Sequence, residues 1–351
     1  MRVKGLIAAG LLAAACTNGP PDADSSAVQD TSAPVAYGTA SPESRSFAAL
    51  ADEYLDGWAR FYPSIAAGNG LHEHDGALED FSAEGIARQV SWFRGMKSRL
   101  GEMDPATLTP DERVDHRILN GVIDGWLLDL EVAKSWQRNP MIYASAIADG
   151  VHNLMTMESA PAEQRMAKLQ EKLRQVPRLL DAARVNLVNP PRILAERGLG
   201  MFRGASGMLA NDLPLALASP SGPEQIRMLD EAAKARAALD AFIAEYEQTI
   251  LPRANGTVAL GRDYVEARYR AEELIDIPTS TMLEIGLREL AREQALFIEK
   301  ARAVDSTRDA MDVWRDVLRD HPARGELVEA TRKTVDELQR FVVGKDLVRL
   351  P

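Results

Sequence analysis

The amino-acid sequence predicts an all-α protein, a large multi-helix domain of about ten helices with little or no sheet. Three observations lead to this fold class. Several segments begin with a capping residue followed by proline, which is typical of helix starts. Apolar residues then recur at three- and four-residue spacing, the period of an amphipathic helix. No window alternates apolar and polar residues as a half-buried strand does, and β-branched residues are sparse. Together these patterns favour helices packed on helices.

The first helix is predicted to begin at Ser41-Pro42-Glu43, where a capping residue precedes proline at the first helical position. Its apolar stripe consists of Phe47, Leu50, Ala51, Tyr54, Leu55, Trp58 and Phe61. This spacing places the aromatic rings in the core and argues against an exposed stacking platform. We expect the helix to end at Pro63.

The later helices are separated by proline and glycine breaks. Thr109-Pro110-Asp111-Glu112 is a capping box with proline in the first turn. A helix that opens near Ser159 is expected to kink at Pro177 and continue to about Val188, because proline removes one backbone donor. The remaining helices are predicted at about 82–100, 109–130, 221–250, 261–273, 280–304, 306–320 and 325–342.

The N-terminus carries the pattern of an export signal. Arg2 and Lys4 precede an uncharged, mostly apolar run over 5–15, which ends in small residues before Cys16. The run is too short to remain as a transmembrane helix. It resembles the bacterial lipobox, in which the cysteine is acylated. We therefore predict a lipoprotein signal peptide over 1–16 with Cys16 as the lipidation site. A plain cleaved signal with an incidental cysteine is the alternative.

The domain organisation follows from this signal. Residues 17–40 are small, polar and proline-containing, so they are expected to form a flexible tether. Residues 41–351 are predicted to form the helical domain. Thr17 stands where an aspartate would mark retention in the inner membrane. The expected location is therefore the outer membrane, with the protein facing the periplasm.

Composition and charge exclude several classes of function. The chain has 41 Lys and Arg against 52 Asp and Glu, a net charge of -11, and no strongly basic block stands out. This argues against a nucleic-acid partner, which requires cations for the phosphates. Cys16 is the only cysteine. If it is lipidated, the mature domain has no disulfide, no thiol nucleophile and no thiolate metal ligand. The lipid anchor at Cys16 makes the membrane the expected partner.

The five histidines do not form a recognisable catalytic or metal motif. A helical zinc site would show H-E-x-x-H, which is absent. His72-Glu73-His74 could share a metal on an extended strand, but the following Asp75-Gly76 favours a turn with both rings hydrogen-bonded or exposed. The other histidines, His116, His152 and His321, show no Ser-His-Asp arrangement by spacing. We predict no catalytic, cofactor-binding or metal-binding residue in this chain.

A glycine-rich segment over 198–207 is superficially similar to a phosphate-binding loop. It follows no predicted strand and lacks the lysine of a P-loop. Ser206 within it lacks the G-x-S-x-G spacing of a nucleophile elbow. Close helix packing or a mobile loop is the favoured interpretation.

Several separated segments match the sequence pattern of one known family. Segment 70–82 fits G-x-H-x-x-D-x-x-L-x-D-x-S, and Asn139-Pro140 with Tyr143 fits an N-P-x-x-Y turn. Matches farther along are Arg165, Leu169, Leu173, Pro177, Leu180, Ala183, Asn186, Leu187, Gly261, Tyr264, Gly286-Leu287 and Glu289-Leu290. In order and spacing, the chain from about residue 45 onward resembles the domain-of-unknown-function 885 family. This is a family of exported bacterial helical proteins regarded as candidate zinc peptidases.

The resemblance implies a zinc cofactor only for the full-length family. The family's zinc-binding sequence, H-E-x-x-P-G-H-H, belongs to its C-terminal half, and no residue here matches it. The apolar segment 346–351 suggests that the natural polypeptide continues. The first hypothesis is therefore the N-terminal helical half of a peptidase-like lipoprotein, inactive alone, which forms a wall of a peptide-substrate channel completed by the missing C-terminal half. The second is a non-catalytic envelope protein that binds a peptide or protein partner.

Overall fold

The computed structural model describes residues 42–216 and 222–348, and most of this part of the chain is helical. Within these ranges there is no strand, and the only sheet-like feature is an isolated parallel bridge between Pro191 and Gly256. The all-α prediction is therefore confirmed. The predicted signal peptide over 1–16, the lipidation site Cys16 and the tether over 17–40 lie outside the described residues.

The chain divides into two units, with the boundary between Asp276 and Ile277. The helices of the first unit are α1 (Pro42–Phe61), α2 (Pro63–Gly68), α3 (Ala83–Gly101), α4 (Pro110–Leu128), α5 (Ser135–Arg138), α6 (Met141–Thr156), α7 (Ala162–Leu173), α8 (Val176–Asn186), α9 (Arg192–Gly207), α10 (Leu213–Ala216), α11 (Pro223–Glu245), α12 (Leu251–Arg253) and α13 (Arg262–Glu272). The helices of the second unit are α14 (Thr279–Val304), α15 (Ala310–Val317) and α16 (Leu327–Gly344).

The predicted helix starts of α3 and α4 are confirmed in atomic detail. Ser82 caps α3 by accepting a hydrogen bond from the Gly85 backbone. Thr109 and Glu112 form the reciprocal capping box at the start of α4. Each cap satisfies backbone donors that the first helical turn leaves without partners.

Two proline interpretations need correction. Pro63 ends α1 as expected, but it also begins α2, a short helix that the sequence reading missed. The predicted kink at Pro177 is wrong, because α7 ends at Leu173 and a separate helix, α8, starts at Val176. Both prolines lie in the first turn of a helix, where the missing backbone N–H is not needed.

The core of the first unit is continuous and rich in aromatic rings. Tyr62 stacks on Trp126 with ring centroids 4.3 Å apart. Phe93 also stacks on Trp126, at 5.9 Å. Near α9 and α11, Phe202 meets Phe242 edge-to-face at 5.0 Å. Together with many aliphatic side chains, these rings join the helices into one buried cluster.

Helices α4 and α13 approach each other unusually closely. A Cβ atom added at Gly121 would lie 2.1 Å from the backbone oxygen of Ala271, and one added at Gly125 would lie 3.0 Å from the Glu272 side chain. The two glycines are four residues apart, so they share one face of α4. Their lack of side chains is what allows α13 to pack there.

Three helices continue into short π-helical segments. Asp129–Ala133 follows α4, Met208–Asp212 follows α9, and Tyr246–Ile250 follows α11. The first of these ends at Lys134, which adopts the left-handed conformation with a φ of 49°. Because such segments locally widen a helix, they redirect the side chains that follow.

The second unit buries little of its own apolar surface. Phe297 of α14 meets Trp314 of α15 edge-to-face at 6.2 Å, and Ala301 and Val313 are its buried apolar residues. Many other apolar side chains of α14–α16 are exposed. Across the described residues, no helix has both the length and the apolar character needed to cross a membrane.

Candidate functional site

A buried cluster of polar and charged side chains surrounds the start of α2. The Ser64 hydroxyl lies 3.0 Å from Glu79 Oε2, and the Ser64 backbone N–H donates to Glu79 Oε1 at 2.9 Å. The Lys172 ammonium donates to the Ser64 hydroxyl oxygen at 3.3 Å. Ser64 is 2 % exposed and Lys172 is 1 % exposed. The hydroxyl therefore connects a buried ammonium to a buried carboxylate.

Four separate segments position these groups. Ser64 is the second residue of α2, Glu79 lies in the loop that joins α2 to α3, and Lys172 is in the last turn of α7. Gly150 of α6 leaves the space, because a Cβ atom there would lie 2.6 Å from Ser64 Oγ and 2.8 Å from Lys172 Nζ. On the same helix, Asn153 donates to the Ser64 backbone oxygen at 3.0 Å.

A second carboxylate lies nearby, next to a histidine and a lysine. Asp75 is buried, with its Oδ2 atom 3.2 Å from His72 Nδ1 and 3.6 Å from Lys168 Nζ. Lys168 also donates to the His72 backbone oxygen at 3.0 Å. Asp75 contributes to the charge surroundings of Lys172 as well. The loop from 69 to 82 is thus tied to α7 by charged side chains.

Burial shifts both charged groups of the cluster toward their neutral forms. It raises the pKa of Glu79, and the positive charge of Lys172 and the hydrogen bonds from Ser64 oppose that rise. It also lowers the pKa of Lys172, against the attraction of Glu79 and Asp75. Removing a charge from water is costly, so each group depends on the other for compensation.

The arrangement has the residue types of a serine nucleophile with a lysine base, but its geometry does not suit catalysis. A nucleophile must be reachable by the substrate carbonyl. The Ser64 hydroxyl is enclosed, lying 3.0 Å from the backbone oxygen of Ala146 in addition to its contacts with Glu79 and Lys172. The cluster therefore acts as a polar connection between α2, α6, α7 and the loop from 69 to 82.

The two loop histidines bind different carboxylates. His72 pairs with Asp75 within the turn over 73–76, whereas His74 Nε2 lies 3.1 Å from Asp56 Oδ1 of α1. The turn interpretation agrees with this geometry. Within the described part of the chain, no group of three His, Cys, Asp or Glu side chains is arranged to hold a metal ion.

The remaining candidates also have structural roles. His116 Nε2 lies 3.1 Å from the Leu100 backbone oxygen, and His321 Nδ1 lies 2.9 Å from that of Pro322. The glycine-rich segment 198–207 forms part of α9 and is not a loop. Within it, Gly198 fits against Pro140, which agrees with close helix packing, and Ser206 bonds to Asp240 of α11.

Sequence reasoning missed the Glu79–Lys172 cluster. One signal was available, since Lys172 lies on the same face of α7 as Leu169 and Leu173, which are fully buried. A lysine on an apolar helix face requires a buried partner. The partner could not be named, because the Ser64 and Lys172 side chains are 108 residues apart in sequence.

A surface groove in the first unit is the second candidate. It has a volume of about 640 Å³ and lies along α4, the π-helical segment after it, and α13. Its lining combines cations such as Arg117 and Arg270 with apolar side chains such as Leu127 and Leu274. The groove is open to solvent, so a ligand could reach it without any rearrangement of the core.

Comparison with known proteins identifies the family. Residues 63–351 match the model of a family described as bacterial protein of unknown function, DUF885. The chain belongs to the DUF885 family. The match begins at the first residue of α2 and includes both the buried cluster and the groove. The resemblance drawn from the sequence motifs is thereby confirmed.

A solved structure shares the fold of this DUF885 chain. It is that of a candidate lipoprotein of unknown function from Shewanella oneidensis, with a TM-score of 0.71 and 20% sequence identity. The similarity covers 87% of this chain and 58% of the other, so the DUF885 chain spans about three fifths of the length of that protein. No curated protein matches the sequence.

Proposed function

We propose that this DUF885 chain is an exported lipoprotein, anchored through Cys16, whose helical body is the non-catalytic portion of a peptidase-like protein. In this proposal the helices of the second unit pack against a further helical segment, and that segment contributes the catalytic groups and the zinc. The observation that supports it most is the extent of exposed apolar surface on α14–α16. Exposed apolar patches of this kind mark interaction sites.

The apolar surface is organised along helix faces. On α16, Leu327, Val335, Leu338 and Phe341 lie on one face at helical spacing, and they are 66%, 55%, 58% and 56% exposed. Charged residues of α16 such as Asp336 and Arg340 occupy the opposite face. An amphipathic helix normally buries its apolar stripe, so this face is suited to contact with another helix.

A similar stripe occupies the first half of α14. Leu283, Leu287 and Leu290 recur at spacings of four and three residues and are all more than half exposed. The Shewanella oneidensis protein has chain beyond the part that matches. Additional helices in a longer protein of this fold would supply the complementary apolar faces.

The export and anchoring part of the proposal rests on the sequence pattern over 1–16. The Shewanella oneidensis protein of the same fold, itself a candidate lipoprotein, supports it. A tether over 17–40 would hold the helical body away from the membrane surface. The proposed location is the outer membrane, on the periplasmic side.

Dye binding by the purified chain tests the apolar faces. We expect strong fluorescence of an anilinonaphthalene sulfonate dye with the wild-type protein, a clear decrease with Leu338→Glu and Phe341→Glu, and no change with Asp336→Asn as the control on the polar face. A monomer that binds no dye would contradict the proposal. Peptide hydrolysis by the chain alone that a chelator abolishes would also contradict it.

A second candidate function is peptide or partner binding in the envelope without catalysis. The open groove along α4 and α13 favours it. Reading the genomic frame beyond residue 351 separates the two functions. A continuing frame with H-E-x-x-P-G-H-H supports the peptidase-like protein, and a stop codon supports the binding protein.

A further inference from the structure

The groove along α4 and α13 contains more positive charge than its own acids neutralise. Lys97 pairs with Asp124 inside the groove. The other acid of the lining, Glu131, pairs with Arg94, which lies outside the lining. Both carboxylates are therefore already compensated, and the remaining cations of the lining are available for a ligand.

Two arginines remain. Among the described residues, Arg117 has no hydrogen-bond or ion-pair partner, and its side chain is exposed. Arg270 has one contact, at 3.5 Å, with Asp276, a carboxylate that is 82% exposed. A long pair between exposed groups contributes little stability, so Arg270 can exchange it for a ligand at small cost.

The groove also offers apolar surface and an amide. Leu127, Leu128 and Leu274 line it and remain partly or largely exposed. Leu274 adopts a φ of 55°, a conformation that is unfavourable for leucine by about 1–2 kcal/mol. Its side chain is thereby held near Gly121 of α4. The Asn120 side chain lines the same wall and has no partner within the described structure.

We propose that this groove binds a short apolar peptide through its free C-terminal carboxylate. The carboxylate pairs with the guanidinium groups of Arg117 and Arg270, which accept planar anions through two parallel hydrogen bonds. The Asn120 amide both donates to and accepts from a peptide bond of the ligand. The leucines contact the ligand's apolar side chains. The volume of about 640 Å³ falls within the range of sites that hold small ligands.

The polar wall favours a peptide over a fatty acid. A hydrocarbon chain would leave Asn120 and the Lys97–Asp124 pair in contact with apolar groups, which costs free energy when their water is displaced. A peptide backbone supplies donors and acceptors at that wall. This inference deepens the second candidate function and rests on it, but it is independent of the first, since binding requires neither zinc nor a further segment.

Calorimetric titration of the full chain tests the site. The probe is the acetylated tripeptide Ala-Leu-Leu with a free carboxylate, compared with the same peptide as its C-terminal amide. We expect the free acid to bind and the amide to bind about tenfold more weakly or not at all. We expect Arg117→Gln and Arg270→Gln each to weaken binding of the free acid about tenfold, which corresponds to about 1.4 kcal/mol.

The matched control is Arg197→Gln. Arg197 is an exposed arginine of α9 without an ion pair among the described residues, and it lies outside the groove, so binding should be unchanged. All three variants replace exposed side chains and should retain the wild-type circular dichroism spectrum. Equal affinity for acid and amide, no binding at millimolar peptide, or decanoate binding more tightly than the peptide would each overturn the proposal.

Discussion

The ammonium nitrogen of Lys172 lies 3.3 Å from the hydroxyl oxygen of Ser64, and both side chains are almost completely buried. This contact joins the last turn of α7 to the first turn of α2. The Glu79 carboxylate, on the other side of the Ser64 hydroxyl, completes the compensation of charge. Buried ionic groups of this kind give strong coupling between the segments that carry them.

Replacing Lys172 should strongly destabilise the protein, because its ammonium group compensates a buried carboxylate. Lys172→Met leaves the Glu79 carboxylate buried without its counter-charge, so we expect a loss of about 3 kcal/mol in the free energy of unfolding near pH 7. The double variant Lys172→Met, Glu79→Gln should lose clearly less than the sum of the two single variants. Urea denaturation provides the four values of this cycle. Strict additivity would show that the two groups are not coupled.

Stability should depend on pH through the same pair. Burial raises the pKa of Glu79 in the folded protein. Its contribution to stability is therefore complete below about pH 4.3, the unfolded value, and is lost as pH rises through the folded value. The stability of the wild type relative to Glu79→Gln should decrease from about pH 4.3 upward. Urea midpoints measured at a series of pH values check this, and an increasing difference would contradict it.

Lys172 should give the opposite dependence. Burial lowers its pKa in the folded protein. Its contribution to stability is complete above about pH 10.4, the unfolded value, and is lost as pH falls through the lowered folded value. The stability of the wild type relative to Lys172→Met should therefore decrease as the pH is lowered from about 10.4. If the stability difference between the wild type and Lys172→Met stayed constant as the pH was lowered, the pKa of Lys172 would not be lowered by folding.

Gly150→Ala should disturb the cluster directly. The added methyl group would lie 2.6 Å from Ser64 Oγ and 2.8 Å from Lys172 Nζ, so the polar contacts must separate. We expect a destabilisation of about 1–3 kcal/mol, measured by thermal or urea unfolding. Gly95→Ala on α3 is the control, because nothing lies within 4 Å of its added atom and alanine favours a helix. Equal effects of the two substitutions would contradict the close packing at Gly150.

Gly121→Ala should loosen α13 from α4. The added atom would lie 2.1 Å from the Ala271 backbone oxygen, and backbone cannot move aside as a side chain can. We expect faster amide hydrogen exchange across α13 (Arg262–Glu272) with little change in α7. Gly200→Ala of α9, where the added atom has open space, should leave exchange in both helices unchanged. Unaltered protection of α13 in Gly121→Ala would contradict the close crossing.

Cys16→Ser should release the protein from the membrane fraction. The prediction follows from the lipobox pattern, since cysteine is the residue that is acylated. Metabolic labelling with radioactive palmitate should mark the wild type and not the variant. Membrane retention of Cys16→Ser without label would favour another mode of attachment, and an unlabelled wild type would favour a plain signal peptide.

The sequence by itself determined the fold class and the starts of several helices, but it predicted neither α6 (Met141–Thr156) nor α9 (Arg192–Gly207). Ser82 and Thr109 mark helix starts because each satisfies backbone donors within its own first turn. The start of the long helix after Gly222 follows from the same local chemistry. Local rules failed where proline had two possible roles, as at Pro63 and Pro177. Proline both terminates one helix and suits the first turn of the next, and the surrounding packing selects the outcome.

The tertiary structure alone decided which side chains meet. The Ser64–Lys172 contact and the groove between α4 and α13 depend on how distant helices cross, and a periodic pattern specifies a buried face without naming its partner. Lys172 lies on the apolar face of α7, and only the packed helices bring Ser64 and Glu79 to it. A helical hydrogen bond forms between residues four apart in sequence, whereas the partner that compensates a buried charge can come from anywhere in the chain. For that reason the fold class could be read from the sequence and the candidate sites could not.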